Sequence, residues 1–245
     1  MNRWKEKSRR AFEAISDLIF PRRCAVCDRP VDRLGQGVCL KCKPQIQYIK
    51  APFCMKCGKQ LNEPQQEYCN DCLRRKHFYL QGKALYDYGS MADSIFRFKY
   101  MGRQEYAGFY AKDLYDRYGF WLHAVRPDAL VPVPIHASRK RKRGYNQAEL
   151  LAAELSKHSG IPVNRKLIIR KKRTKPQKDL TTQERQNNLK KAFNMGQNDV
   201  KLKVIIIIDD IYTTGTTIDE AAKVLKEAGA EKVYFVTLAC GAGIM

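Results

Sequence analysis

Eight of the nine cysteines in this 245-residue chain form four Cys-x-x-Cys pairs, Cys24/Cys27, Cys39/Cys42, Cys54/Cys57 and Cys69/Cys72, set at a constant step of 15 residues. Two intervening residues let one tight turn aim both sulfurs at one ion, and two such turns complete a tetrahedron of thiolates at roughly 2.3 Å. One pair alone could be a redox motif; four in register read as two zinc sites. The N-terminal 20 residues lack an uninterrupted apolar block and a small-residue cleavage site, so no secretory signal is expected. The expected compartment is the cytosol, where disulfides are rare.

The flanks suggest how the pairs combine. Asp28 and Gly58, which follow the first and third pairs, tolerate a left-handed turn, whereas Lys43 and Leu73 follow the second and fourth. The order is A-B-A-B, a duplication of 30 residues. We therefore assign Cys24, Cys27, Cys39 and Cys42 to one zinc, and Cys54, Cys57, Cys69 and Cys72 to another. Cross-bracing of A with A and B with B stays open. Closed four-thiolate sites are structural rather than catalytic. Trp4, Phe12, Ile15, Leu18 and Ile19 recur at helical spacing, so residues 1–22 read as an amphipathic helix that docks on a core or lies on a membrane surface.

Beyond Cys72 the pattern becomes α/β. Strands are expected at 82–91, 128–134, 166–172, 204–208 and 231–239, and helices at 94–102, 105–120, 146–160 and 217–229. This alternation implies a mostly parallel sheet covered on both faces. The longest aliphatic run, Val204–Ile208, has five residues against the roughly 20 that a membrane-spanning helix needs, so no transmembrane segment is predicted.

That run delivers Asp209 and Asp210 at its carboxyl end, followed by Thr213, Thr214, Gly215, Thr216 and Thr217. In open α/β sheets ligands bind at that end. Loop amides and a helix N-terminus receive phosphate, and threonine hydroxyls add donors. The carboxylates can instead accept hydrogen bonds from sugar hydroxyls, so acid pair plus loop reads as a ribose 5-phosphate site. A helix-capping acid beside a solvated neighbour is the plainer alternative. A Walker-type acid pair is another, weakened because no G-x-x-x-x-G-K-[ST] occurs.

The net charge of +21 is unevenly spread. Residues 131–203 carry 19 Lys and Arg against 5 Asp and Glu, and residues 204–245 carry 3 against 6. Eight thiolates and two divalent ions lower the formal total by four, almost neutralising the cysteine module. A concentrated basic block argues for a polyanionic partner. Its densest runs are Arg139, Lys140, Arg141, Lys142 and Arg143, then Arg170, Lys171, Lys172 and Arg173, expected within a long polar connection that also carries Lys175 and Lys178. Such cations could track single-stranded DNA, with Tyr145 as a stacking platform. They could also balance a leaving pyrophosphate, or form a solvated face. His136 reads as a turn histidine, His77, His123 and His158 lack partner motifs, and Cys240 reads as a core residue.

The segment 204–217 resembles the phosphoribosyl pyrophosphate (PRPP) signature of type I phosphoribosyltransferases. That resemblance implies ribose contacts by Asp209 and Asp210, phosphate binding by residues 213–217, and Mg²⁺ between sugar and pyrophosphate. Val131-Pro-Val-Pro-Ile-His136, Arg143-Gly-Tyr-Asn-Gln-Ala148, Arg173-Thr-Lys-Pro-Gln177 and Arg185-Gln-Asn-Asn188, with Phe20-Pro-x-x-Cys-x-x-Cys27 and Phe98-Lys-Tyr-Met-Gly102, resemble the ComF family of competence proteins, of the ComFC type. This implies a double zinc ribbon at 23–76 ahead of a phosphoribosyltransferase-like domain at 77–245. It also implies a part in natural transformation, with single-stranded DNA and a helicase-like motor of the ComFA type as partners, in the cytoplasm or peripherally at the DNA-uptake apparatus. A glutaminase half would need an N-terminal cysteine nucleophile, but residue 2 is Asn and the first cysteine, Cys24, belongs to a metal pair. Glutamine-dependent amination is therefore not expected. An active phosphoribosyltransferase of nucleotide metabolism and an adaptor that docks a partner through its zinc module are the competing classes.

Overall fold

The structure, a computed structural model, describes residues 21–31, 37–170, 192–196 and 202–241. The expected helix at 1–22 lies almost wholly outside these residues. So do Lys171, Lys172, Arg173, Lys175, Lys178 and the Arg185-Gln-Asn-Asn188 segment.

Four parallel strands form the main sheet: β1 (Gln81–Asp87), β2 (Ala129–Pro132), β5 (Val204–Tyr212) and β6 (Lys232–Cys240), in the order β1-β6-β5-β2. A separate antiparallel pair joins β3 (Ile168–Arg170) to β4 (Phe193–Met195). The helices are α1 (Asn70–Arg74), α2 (Tyr88–Tyr100), α3 (Tyr106–Ala124), α4 (Ala137–Arg143), α5 (Gln147–Ser159) and α6 (Thr216–Glu227).

The buried isoleucines of β5 show how the sheet divides the core. Ile205 and Ile207 face one side, among Ile218, Ala221, Ala222 and Leu225 of α6, Phe193 of β4 and cysteines of the second tetrad. Ile206 and Ile208 face the other, among Ile95 and Phe98 of α2, Tyr110 and Leu114 of α3, and Leu151 and Leu155 of α5. The period of two along a strand makes this partition, and full burial on both faces explains the unbroken aliphatic run.

Three expectations need correction. The first strand ends at Asp87 rather than continuing to residue 91, because Met91, Ser94, Ile95 and Phe98 recur at helical spacing and bury one face of α2. Arg139–Arg143 lie in a helix rather than a loop. His136 caps it by accepting from Ser138 N at 3.2 Å, and Gly144 stops it in the left-handed region at φ 82°. Finally, β5 runs through the acid pair to Tyr212, so Asp209 and Asp210 lie inside the strand.

Candidate functional site

The two cysteine units repeat their backbone hydrogen bonds at an offset of 30 residues. Asp28 N donates to Cys24 O as Gly58 N does to Cys54 O, and Cys24 N donates to Arg29 O as Cys54 N does to Lys59 O. Cys42 N and Lys43 N donate to Cys39 O just as Cys72 N and Leu73 N donate to Cys69 O. Asp28 and Gly58 adopt the expected positive φ, 61° and 75°. The sulfurs gather as Cys24, Cys27, Cys39, Cys42 and as Cys54, Cys57, Cys69, Cys72, each set within 4.8 Å. That is the sequential arrangement, not the cross-braced one. Four thiolate donors at this separation fit a tetrahedral zinc site.

Beyond the second tetrad stands the threonine loop. It opens α6, with Gly215 in the left-handed region at φ 76° as the residue before the first helical turn. Thr214 and Thr216 share a hydroxyl hydrogen bond of 2.9 Å, and Thr213 is exposed while Thr217 is half-buried. The amides of the first turn of α6 lack intrahelical acceptors and carry the positive end of the helix dipole.

The acids upstream of the loop are half-buried. Asp210 pairs with Lys99 of α2 at 3.0 Å, and its amide donates to Asp209 Oδ1 at 2.9 Å. Burial, then the charge of Asp210, push the Asp209 carboxyl up to about 7 against the opposing pull of Lys99 and Arg170. Arg170 at the end of β3 is lowered to about 10 by burial and by Arg139, while Asp209 raises it. Lys99 and Arg170, from α2 and β3, thus form an electrostatic group around the acids, with Arg139 of α4 beside Arg170. Lys99 lies in the Phe98–Gly102 motif, but nothing in its sequence context announced a partner for Asp210.

Of the expected nucleic-acid residues, Arg141 and Lys142 are exposed and Arg139 is half-buried. Lys140 pairs with Glu149 at 3.0 Å. Arg143 donates to Gln147 Oε1 at 3.0 Å and lies over the Tyr100 ring at 4.5 Å. Tyr145 cannot be the stacking platform, since it is only 6% exposed and its hydroxyl donates to Phe98 O. The exposed rings beside the basic helix are Tyr100 and Phe96, with centroids 5.1 Å apart.

His77, which the sequence reads as lacking a partner motif, has a partner in the fold. Its side chain is 1% exposed, donates through Nδ1 to Asp219 Oδ2 at 2.5 Å, and stacks on Tyr79. Cys240 is the expected core residue, in the same core as Cys54, Cys57 and Cys69.

The comparisons with known proteins agree with this division. Residues 15–73 match the double zinc ribbon domain, and residues 141–243 match the phosphoribosyl transferase domain. The chain is 37% identical over 115 residues to competence protein F of Haemophilus influenzae, covering 46% of this chain and 50% of that protein. It is 33% identical over 156 residues to competence protein ComFC of Bacillus subtilis, covering 61% and 59%. It is 36% identical over 118 residues to the DNA utilization protein YhgH of Escherichia coli K12, covering 46% and 52%. The chain thus spans between half and three fifths of the length of the curated relatives it matches. The resemblance to the ComF family and the α/β fold class expected from the sequence are both borne out. Among the described residues, no helix is long and apolar enough to cross a membrane.

Proposed function

We propose that this chain, a double zinc ribbon joined to a phosphoribosyl transferase domain and a relative of competence and DNA utilization proteins, acts in DNA uptake. In this reading residues 23–76 hold two structural zinc ions, and residues 77–245 bind PRPP with Mg²⁺ and single-stranded DNA. A ComFA-type motor would act on the same strand at the cytosolic side of the uptake apparatus.

The observation that carries the PRPP assignment is the continuity of β5, the threonine loop and α6 at the carboxyl end of a parallel sheet. Asp209 and Asp210 would accept from the ribose hydroxyls while residues 213–217 and the amides of α6 hold the 5′-phosphate. Mg²⁺ arriving with PRPP would neutralise part of the pyrophosphate charge. Asp209→Asn/Asp210→Asn should abolish PRPP binding in calorimetry and leave the far-UV spectrum unchanged; undiminished affinity would sink the assignment.

The pH dependence has a definite sign. The Asp209 carboxyl rises from 3.8 to about 7 on folding. Its stabilising contribution is full below about 3.8 and is lost as pH rises through about 7. Asp209→Asn should therefore flatten the fall in stability across that window. PRPP affinity should rise with pH through the same window, because the ionised carboxylate is the hydroxyl acceptor.

For DNA, the supporting features are the exposed Arg141 and Lys142 of α4 and the exposed Tyr100 ring beside the same helix, over which Arg143 lies at 4.5 Å. Cations beside accessible ring faces suit single strands, whose unstacked bases can lie on them. Arg141→Gln/Lys142→Gln should weaken binding and reduce the salt slope by about 1.4, from roughly 0.7 per phosphate contact on single strands. Changing Lys50, Lys56 and Lys59 should do less per charge. Equal effects per charge would mean a diffuse field with no site on this domain. An active phosphoribosyltransferase is the second reading, favoured by the cations gathered at Asp209 and Asp210, which could balance a leaving pyrophosphate. Single-turnover PRPP hydrolysis distinguishes it from binding alone.

A further inference from the structure

The segment that leaves the second cysteine tetrad is locked to the threonine loop from below. Tyr212, the last residue of β5, lies flat on Phe235 with ring centroids 5.0 Å apart. Its hydroxyl sits so close to Gly215 that a Cβ there would collide with it. That hydroxyl shares a 2.8 Å hydrogen bond with the Tyr79 hydroxyl. Burial pushes both phenols above their ordinary range, so both stay neutral. Cys54, Cys57 and Cys69 belong to the same buried core as Tyr79, Tyr212 and Ile218.

A second tie reaches the helix. Asp219 lies in the first turn of α6. Both its oxygens are engaged from the segment after Cys72, by His77 Nδ1 at 2.5 Å and by Phe78 N at 3.1 Å. A carboxylate released from these donors, one turn from the loop, would repel an incoming phosphate. The first tetrad makes neither contact. Its unit is held by Asp28 to Arg103 and Tyr106, and by Ser94 to Ala25 O.

We infer that His77 and Tyr79 are positioning residues through which the second metal site, and not the first, sets the phosphate affinity of the 213–217 loop. The inference rests on the phosphate-loop reading above. Coupling between two sites is reciprocal, so a ligand on the loop slows metal loss from Cys54, Cys57, Cys69 and Cys72 and leaves Cys24, Cys27, Cys39 and Cys42 unaffected.

The experiment uses the full zinc-loaded chain with ribose 5-phosphate as probe. Metal release is driven by a thiol modifier, and mass spectrometry of the modified cysteine peptides assigns each ion to its tetrad. A saturating probe should slow release from the second tetrad about fivefold, at the low end of allosteric couplings, and leave the first unchanged. Tyr79→Phe and His77→Ala should lose that protection and bind the probe more weakly. His77→Asn, which keeps a donor for Asp219, should restore both, a rescue that general loosening of the fold would not give. Equal protection of both tetrads, or of neither while the probe binds, overturns the inference. Failure of the parent to bind ribose 5-phosphate overturns the phosphate reading instead. The contact is then judged without ligand, by amide exchange. Tyr79→Phe and His77→Ala should speed exchange at residues 213–220, and Tyr106→Phe at the first unit should not. Unchanged exchange in all three overturns the coupling as well.

Discussion

The two cysteine units share one hydrogen-bonding plan, yet the domain holds them by different physics. The first stands on helices. Asp28 accepts from Arg103 Nη2 at 2.8 Å and from the Tyr106 hydroxyl at 2.6 Å, while Arg97 donates to Val26 O. Cys27 and Cys39 remain half-buried. The second is part of the sheet's own core, with Cys54, Cys57 and Cys69 buried among Phe235, Ile207 and Ile218. The residue after each first Cys-x-x-Cys records the divergence. Both positions require the left-handed region, but at 28 the side chain makes the anchor. At 58 any Cβ would come within 2.9 Å of Gly82 O, so the residue must be glycine for β1 to approach. One duplicated metal knuckle has become a polar foot in one copy and a core element in the other.

Removing ligands should separate the copies most widely. Cys24→Ser/Cys27→Ser should lose one zinc, keep the other, and leave the transferase domain melting within a few degrees of the parent. Cys54→Ser/Cys57→Ser should also lose one ion but take the cooperative transition with it, lowering Tm by more than 10 °C, because the cost falls inside the shared core. Metal analysis and calorimetry on the same samples decide the matter. Loss of both ions from either variant would mean the tetrads depend on each other.

A smaller effect is expected from exchanging the anchors. Gly58→Ala places a β-carbon against backbone in a conformation unfavourable to L-residues, and should cost about 2–4 kcal/mol. Asp28→Gly relieves its own backbone and gives up only the polar anchor, for about 1–2 kcal/mol. Urea midpoints rank the pair. If Asp28→Gly proves the costlier, the polar foot contributes more than the core contact and the comparison is reversed.

Much of this was legible because the signals were local. Cysteine spacing, a glycine or aspartate that tolerates positive φ, and an aliphatic run before two acids each depend on a few neighbouring residues. The A-B-A-B argument favoured the sequential ligand sets, since a repeated turn repeats its hydrogen bonds, but only the gathered sulfurs exclude cross-bracing. What escaped depended on distant partners. His77 meets Asp219 across 142 positions, and Tyr79 meets Tyr212 across 133; neither has a motif because the contact exists only once the ribbon docks. Lys99 and Asp210 are joined in the same way. Tyr145 failed for the opposite reason. Its neighbours are cationic, so sequence made it look accessible, but the turn after Gly144 directs it inward to Phe98 O. The basic run read as a loop because seven residues of α4 bury none of their own number and leave no hydrophobic period to detect.

Salt should produce the smallest separation, and it tests the physical distinction itself. The carboxylate of Asp28 is 20% exposed and the Arg103 side chain 27%. Burial alone would raise the Asp28 carboxyl, but the hydrogen bonds from Arg103 and Tyr106 and the charges of Arg103 and Arg23 outweigh it and hold the group below its ordinary value. The anchor is therefore ionic and within reach of solvent. At 0.1 M salt the screening length is about 10 Å and at 1 M about 3 Å, so the attraction should weaken by a few tenths of a kcal/mol, within the range for partly exposed pairs. The ion pair of the second unit, Lys59 with Asp71 at 3.8 Å, joins two residues of that unit and does not anchor it to the sheet, and salt does not screen the apolar contacts of its buried sulfurs. Raising NaCl from 0.1 to 1 M should therefore speed metal release from Cys24, Cys27, Cys39 and Cys42 about twofold, and leave the second tetrad's rate unchanged. Chloride can itself compete for zinc, but it would act on both tetrads and would persist in Asp28→Asn. The ionic anchor predicts that this substitution abolishes the salt effect at the first tetrad alone. If the effect survives in Asp28→Asn, screening of the Arg103 contact is not its source, and the first unit is held by its packing after all.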